Sequence, residues 1–281
     1  MRRRSAAFFY VLPTTLETPT PKTAIRRLAI DAYNGGTDMS ESSKTHRNML
    51  VFGAHPDDLE IGMAGTVCRL VACGHNVYSC IASVPDDRDA RMREAREAAR
   101  ILGIKEVIAL PLRPSQLGYN RATIGAIDLV IRQFSPHSVF THWNEDSHQD
   151  HVNVTRCVIA ATRKNSFNVY MYEQTIPGGI TPAGFRAQLI VDVSKYIDRK
   201  IESIQAHVSQ IRRNGTWWSE GVRGRAMYRG YQINTQYAEA FEVIKINGDT
   251  DLFVGESAMA AHAAEAAPIH EDMDVATQPP G

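Results

Sequence analysis

The chain has 281 residues, 43% of them hydrophobic, with 31 Lys and Arg balanced by 31 Asp and Glu. This length suits one large domain or two small ones with a sizeable core, and the balanced charge leaves no net field to hold a nucleic acid through its phosphates. Apolar runs such as Val67 to Ala72, broken by Arg69, fall far short of the roughly 20 residues of a membrane helix, so no membrane span is expected.

In chain order, Met1-Arg-Arg-Arg followed by Ala6 to Leu12 has the charge-then-apolar form of a signal peptide, but Pro13 and Thr14 follow without a small-x-small cleavage site. Residues 13–46 are rich in Thr, Pro, Ser and Gly with little period, and 1–46 as a whole reads as a loosely ordered leader. A folded domain is expected over 47–254, and the Ala-, Glu- and Pro-rich residues 255–281 read as a disordered tail. Cys68, Cys73, Cys80 and Cys157 form no CxxC pair and are too sparse to staple a secreted scaffold. They read as reduced, mostly buried thiols of a cytoplasmic protein.

Within the domain, Met49 to Phe52 reads as a buried strand, and Leu59 to Cys73 as a helix ending at a left-handed Gly74. Asn76 to Val84 reads as a second strand, and Asp86 or Asp87 caps a helix over Arg88 to Leu102 that Gly103 closes. Val107 to Leu110 is a third strand, Ile124, Ile127, Ile131 and Phe134 have helical spacing, and Ser138 to Thr141 is a fourth strand. A helical stretch over His151 to Arg163 follows, then strands at Asn168 to Tyr172 and Leu189 to Val193. Ile197, Ile201, Ile204, Val208 and Ile211 then lie on one face of a late helix. The alternation predicts one open, doubly wound, Rossmann-like α/β domain: a mostly parallel sheet with helices on both faces.

Ligands of open α/β sheets bind beyond the carboxyl ends of the strands, and two polar clusters fall there. Ala54-His55-Pro56-Asp57-Asp58 directly follows the first strand. Adjacent carboxylates repel and seldom serve packing, and a histidine three residues before the second can converge with it on a cation. An exposed turn with Asp58 as an N-cap is the plainer alternative. After the fourth strand, His142-Trp-Asn-Glu-Asp-Ser-His-Gln-Asp-His151 packs three histidines and three acids into ten residues. A helix start capped by Asp146 or Ser147 accounts for only some of them. Zinc enzymes take three His, Asp or Glu ligands and leave one position for water.

The segment Ala54-His-Pro-Asp-Asp-Leu-Glu-Ile-Gly-Met-Ala-Gly-Thr66, with His148-Gln-Asp-His151 downstream, resembles the LmbE-like, or PIG-L type, zinc deacetylases. Fainter likeness extends over about 48–246, through Arg91 and Glu94, His207-Val-Ser-Gln210, Arg229-Gly230 and Tyr237-Ala-Glu-Ala-Phe241. The resemblance implies that His55, Asp58 and His151 hold one zinc ion per chain, although Fe²⁺ or another divalent ion also suits such donors. It implies Asp57 as general base, His148 as the group that stabilises charge on the amide oxygen, and Asp150 as a carboxylate orienting a histidine. Neighbouring carboxylates are expected to raise the pKa of His148. The implied substrate is a small N-acylated amino sugar or conjugate. Relatives often have Cys-Gly-Gly where this chain has Met63-Ala64-Gly65, a change expected to adjust packing only.

Arg91 and His207 are carried as substrate-binding candidates. A solvated arginine in a helix with Arg88, Arg93, Arg96 and Arg100, and a core histidine, are the alternatives. Glu60 is read as a first-turn acid favoured by the helix dipole, with a supporting partner behind the metal ligands as the alternative. Trp217, Trp218, Tyr228 and Tyr231, in a Gly- and Arg-rich stretch, suit a mobile lid, a homo-oligomer contact or a ring that stacks on sugar. Two competing functions remain open at this stage. One is a non-catalytic sugar or nucleotide binding module with a structural metal. The other is a non-haem iron oxygenase, whose ligands are also two histidines and a carboxylate.

Overall fold

Seven short runs rich in β-branched and aromatic residues pair into one sheet in the computed structural model, which describes residues 46–175, 177–248 and 252–253. The strands are β1 (Asn48–Gly53), β2 (Asn76–Ile81), β3 (Glu106–Ala109), β4 (Ser138–Thr141), β5 (Asn168–Tyr172), β6 (Leu189–Asp192) and β7 (Ala238–Lys245). Their order is β3-β2-β1-β4-β5-β7-β6. The first five are parallel, whereas β7 runs antiparallel to both β5 and β6. The expected tail, and the leader apart from His46, lie outside the described residues.

The helices are α1 (Asp58–Ala72), α2 (Arg88–Leu102), α3 (Arg121–Phe134), α4 (Gln149–Ala161), α5 (Ile197–Gln205), α6 (Val208–Asn214) and α7 (Trp217–Gln232). They cover both faces of the sheet, as period-2 side-chain alternation requires. Leu50 and Phe52 of β1 pack with Ile127 and Ile131 of α3 and Val154 and Val158 of α4. Met49 and Val51 face the other way, onto Met63, Val67 and Leu70 of α1. Punctuation behaves as the sequence predicts: Asp87 accepts the Ala90 N–H at the start of α2, and Gly74 and Gly103 take positive φ of 89° and 80°. All four cysteines are buried free thiols.

Two expectations need correction. The single helix carrying Ile197 through Ile211 is broken at Ala206–His207, because His207 turns inward to full burial beside Glu60, 3.5 Å away. Val208, expected on its apolar face, is consequently 46% exposed. The Gly- and Arg-rich stretch is helix α7, not a lid: Trp218 and Val222 bury against Ile201 and Ile204 of α5 and Ile61 of α1.

Helix α1 is split at Met63. Met63 has non-helical φ −149° and ψ 23°. The Gly65 N–H goes to Glu239 Oε1 at 3.0 Å and the Thr66 N–H to Glu239 Oε2 at 2.6 Å. The carbonyls before the break, Glu60 O and Ile61 O, accept from Lys200 Nζ at 3.0 and 2.9 Å, and Arg225 also donates to Ile61 O. Lys200 and Glu239 close the gap with a 2.6 Å ion pair buried to 1% and 3% side-chain exposure. A chain of side-chain bonds thus replaces the rung from Gly65 to Ile61 and satisfies the groups that a broken helix orphans. No side chain fits at Gly65, where a Cβ would lie 2.6 Å from Val193 Cβ. The first turn, carrying Asp57 and Asp58, therefore has its direction fixed separately from the rest of the helix.

Candidate metal centre

In the order β3-β2-β1-β4-β5, β1 is flanked by β2 and β4, which places the crevice of this doubly wound sheet beyond the ends of β1 and β4. Both polar clusters open there, one after each strand. They share a cavity of about 290 Å³ lined by His55, Asp57, Asp58, Arg91, His148 and His151, among others.

Asp58 lies at the centre. Its Oδ1 is 3.3 Å from His151 Nε2 and accepts from Gln174 Nε2 at 2.8 Å. Its Oδ2 accepts the His55 N–H at 2.7 Å and stands 3.7 Å from His55 Nδ1. Ligand atoms of His55, Asp58 and His151 all fall within 4.8 Å of one another. Bonds of about 2.0–2.1 Å in a tetrahedral site put donors about 3.3 Å apart, so this set fits a zinc-sized ion. The outer ring nitrogens support the same fit. His55 Nε2 contacts Asp150 Oδ2 at 3.2 Å, and His151 Nδ1 contacts Asp146 Oδ2 at 2.9 Å. A carboxylate on the far nitrogen of a ligating imidazole orients the ring and makes it more basic.

The charges follow. Burial works to raise the pKa of Asp58, but His151 and His142 outweigh it and hold the group well below the usual carboxylate range. Burial likewise opposes a charge on His151, yet Asp58 and Asp146 raise it to about 10. Without a metal, His151 therefore carries a proton between two carboxylates, and metal binding must displace that proton. His142 stacks on His151 with centroids 3.9 Å apart; burial first, then the charge on His151, lowers it to about 4, so it stays neutral.

Asp57 is treated differently. It occupies the N-cap position of α1 but makes no side-chain cap bond, which replaces the expectation of Asp58 as an N-cap. Its φ of 115° lies in the region disfavoured for non-glycine residues, which costs on the order of 1–3 kcal/mol and persists only where surroundings enforce it. Arg91 does so: one guanidinium nitrogen donates to Pro56 O and, at 3.3 Å, to Asp57 Oδ2. Burial first, then the charge of Asp58, raises the pKa of Asp57 to about 7. Two adjacent carboxylates are thereby driven to opposite ends of the scale, as acid–base sites require.

His148 lines the cavity at the start of α4, where it, and not Asp146 or Ser147, is the capping residue. Its Nδ1 accepts the Asp150 N–H at 3.2 Å, which leaves the ring hydrogen on Nε2. The expected rise in its pKa is reversed: burial, then the charge on His151, lowers it. A neutral His148 still keeps one N–H to donate.

Arg91 is buried at the cavity wall, bound to Asp57, so the solvated-arginine alternative falls away. His207 is fully buried and is not among the residues lining the cavity. It faces Glu60, which is itself 5% exposed, and burial's effect on its pKa is outweighed by Glu60, which raises it. This pairing places His207 among the core histidines, the alternative reading, and gives Glu60, still in the first turn of α1, an inward partner. Glu94, the other charged residue of the RxxE element, binds Ser209 N and Oγ at 2.8 and 2.7 Å and secures the start of α6. Sequence reasoning gave no site role to His142 or Gln174 and saw Asp146 only as a possible cap. A short acid before a helix is the common signal for a cap, and nothing local shows its second contact, to His151.

Comparisons with known proteins agree with this geometry. Residues 50–162 match the family described as PIG-L, GlcNAc-PI de-N-acetylase. A diacetylchitobiose deacetylase from Thermococcus kodakarensis is 26% identical over 223 residues, covering 70% of this chain and 83% of its own. The structure of N,N'-diacetylchitobiose deacetylase from Pyrococcus horikoshii superposes with TM-score 0.62 at 24% identity, covering 85% of this chain and all of that one. The 4-carboxy-2-hydroxymuconate hydratase of Pseudomonas putida shares the fold at TM-score 0.60 and 20% identity, over 73% of this chain and 99% of its own. The match over residues 50–162 spans both clusters of the cavity, and in that stretch the chain is similar to the PIG-L, LmbE-like de-N-acetylases.

Proposed function

We propose that the chain is a zinc-dependent hydrolase that removes an acyl group, acetyl in the first instance, from the amide nitrogen of an amino sugar or a related small conjugate. One observation carries this reading: Asp57 and Asp58 line one cavity, with Asp58 turned to the imidazoles and Asp57 held apart, strained and raised to about 7. That division is what water activation needs, and it distinguishes the reading from a structural metal in a binding module. The fold alone does not decide, because the hydratase shares it.

His55, through Nδ1, Asp58, and His151, through Nε2, would hold the ion. When bound, zinc supplies acidity to a water molecule and polarises the amide oxygen. Asp57 takes the proton as the water oxygen adds to the amide carbon. His148 Nε2–H donates to the oxygen on which charge builds. Asp57 then returns the proton to the amine nitrogen as the C–N bond breaks, giving acetate and the free amine. Arg91 holds Asp57 in position throughout.

Acetate release from a panel of N-acetylated amino sugars tests this, using intact protein, chelated protein and chelated protein resupplied with zinc. The expected result is activity that disappears on chelation and returns with zinc. Release unaffected by chelation overturns the reading. Sugar binding without release across the panel favours the binding module, and metal-dependent oxygen uptake favours the oxygenase.

A further inference from the structure

Two cavities meet at one side chain. The metal-bearing cavity, of about 290 Å³, and a neighbour of about 430 Å³ have Pro177 and Trp218 in both their walls. Trp218 is 4% exposed and packs in one cluster with Ile61 of α1, Ile201 and Ile204 of α5 and Val222 of α7. Its Nε1 has no hydrogen-bond partner among the described residues, whereas a buried indole N–H usually finds one. A leucine or phenylalanine would serve packing alone without stranding a donor. What the indole adds is breadth, one flat side chain that stands between two cavities.

The metal cavity is chemically two-sided. Arg91 and Glu94 of α2 bond to Asp57 and to Ser209, which ties Asp57 and the start of α6 to one helix. Gln210, Arg213 and Asn214 of α6 line the cavity, and Arg213 Nη1 stands 3.9 Å from Asp86 Oδ2. Such a wall of amides, guanidinium and carboxylate suits the hydroxylated amine half of a substrate, whose nitrogen must lie at Asp57 to receive a proton. Ile61, Pro177 and Trp218 give the same cavity apolar surface. The apolar part of an acetamido sugar is its methyl group, and the hydrophobic effect favours placing it there.

We infer that Trp218 sets the length of acyl group that the chain accepts, by closing the acyl end of the metal cavity against the second cavity. A methyl group fits against the indole, and each added methylene drives into a packed wall that does not yield. With the ring cut back, a longer acyl chain runs on into the second cavity, where Trp217, Val222 and Pro177 offer apolar surface. The orientation of the acyl group toward Trp218 rests on the deacylase reading. The partition of the two cavities by the indole does not.

The test compares N-acetylglucosamine with N-hexanoylglucosamine on wild type, Trp218→Leu, Trp218→Ala and Trp218→Phe. The ratio of the two kcat/KM values does not depend on the folded fraction, and the leucine variant stands in should the alanine variant fail to fold. Wild type is expected to favour acetyl by more than about 10-fold, and the ratio to move toward hexanoyl by about 10-fold in the leucine and alanine variants, the order of discrimination that methylenes command in a closed apolar pocket. Trp218→Phe keeps an aromatic partition and should stay near the wild-type ratio, a split that general loosening of the core does not produce. Calorimetric titration of N-hexanoylglucosamine into chelated protein reads the partition without turnover, with affinity expected to rise by a similar factor in the leucine and alanine variants. If wild type releases neither acyl group, the deacylase reading fails, and the titration alone decides the partition. Equal use of both acyl groups by wild type, or the wild-type ratio with no gain in affinity in Trp218→Leu, overturns the inference.

Discussion

Asp57→Asn is expected to keep its metal and lose about 10²- to 10⁴-fold in kcat, the usual contribution of a positioned general acid or base. Asparagine preserves size and the bond from Arg91 but cannot accept a proton. The pH dependence sharpens the expectation. Asp57 works as a base only when ionised, so activity falls as pH drops through its pKa. Burial and the charge of Asp58 place that pKa at about 7 in the metal-free protein. A divalent ion bound beside it stabilises the carboxylate and moves the acid limb of kcat/KM to lower pH. The wild-type profile should therefore rise through a limb below about 7, and that limb should vanish from the residual activity of Asp57→Asn. A variant that retains both the limb and wild-type turnover would remove Asp57 from the chemistry. Metal content by elemental analysis separates this loss from loss of the ion.

Lys200→Met is expected to destabilise the fold by about 3–5 kcal/mol, because it leaves the carboxylate of Glu239 buried without its partner. Removing both charges, in Lys200→Met with Glu239→Gln, should cost less than the two single changes added together, since neither charge is then stranded. A side-chain amide in place of the carboxylate can still accept from one of the two backbone N–H groups but not from both, so some loss remains. Denaturant midpoints measure the cycle. The folded fraction of each variant should also release acetate more slowly, because the ion pair closes the break in α1 that sets the direction of the turn bearing Asp57 and Asp58. Strict additivity of the two single changes, with full activity in the folded fraction, would show that the pair plays no part in holding that turn.

The strand-helix alternation was readable in the sequence because buried parallel strands and amphipathic helices impose different apolar periods. The two polar clusters that share the cavity were readable for a chemical reason: adjacent aspartates after a strand, and histidines crowded after another, have little use in packing. What the sequence left hidden depends on side-chain direction. Asp146 has the local signature of a cap, yet its carboxylate reaches both the His148 N–H at 2.9 Å and His151 Nδ1. Glu60 has the position of a dipole-favoured acid but turns inward to His207, a partner nearly 150 residues along the chain. His207 in turn ends one helix and begins another, which no hydrophobic period announces. The neutral state of His148 was equally invisible. It follows from burial and from the charge on His151, two quantities that exist only once the chain has folded. Helix α7 was obscured by its three glycines and arginine-rich composition, although Trp218, Val222 and Ala226 do keep a four-residue apolar spacing.

Diffraction from zinc-loaded crystals, recorded on both sides of the metal absorption edge, tests the central claim most directly. The expected result is one anomalous peak about 2.0–2.2 Å from His55 Nδ1, a carboxylate oxygen of Asp58 and His151 Nε2, with Asp57 close by but not coordinated. A peak elsewhere, or one in which Asp57 replaces any of the three as a ligand, would contradict the account.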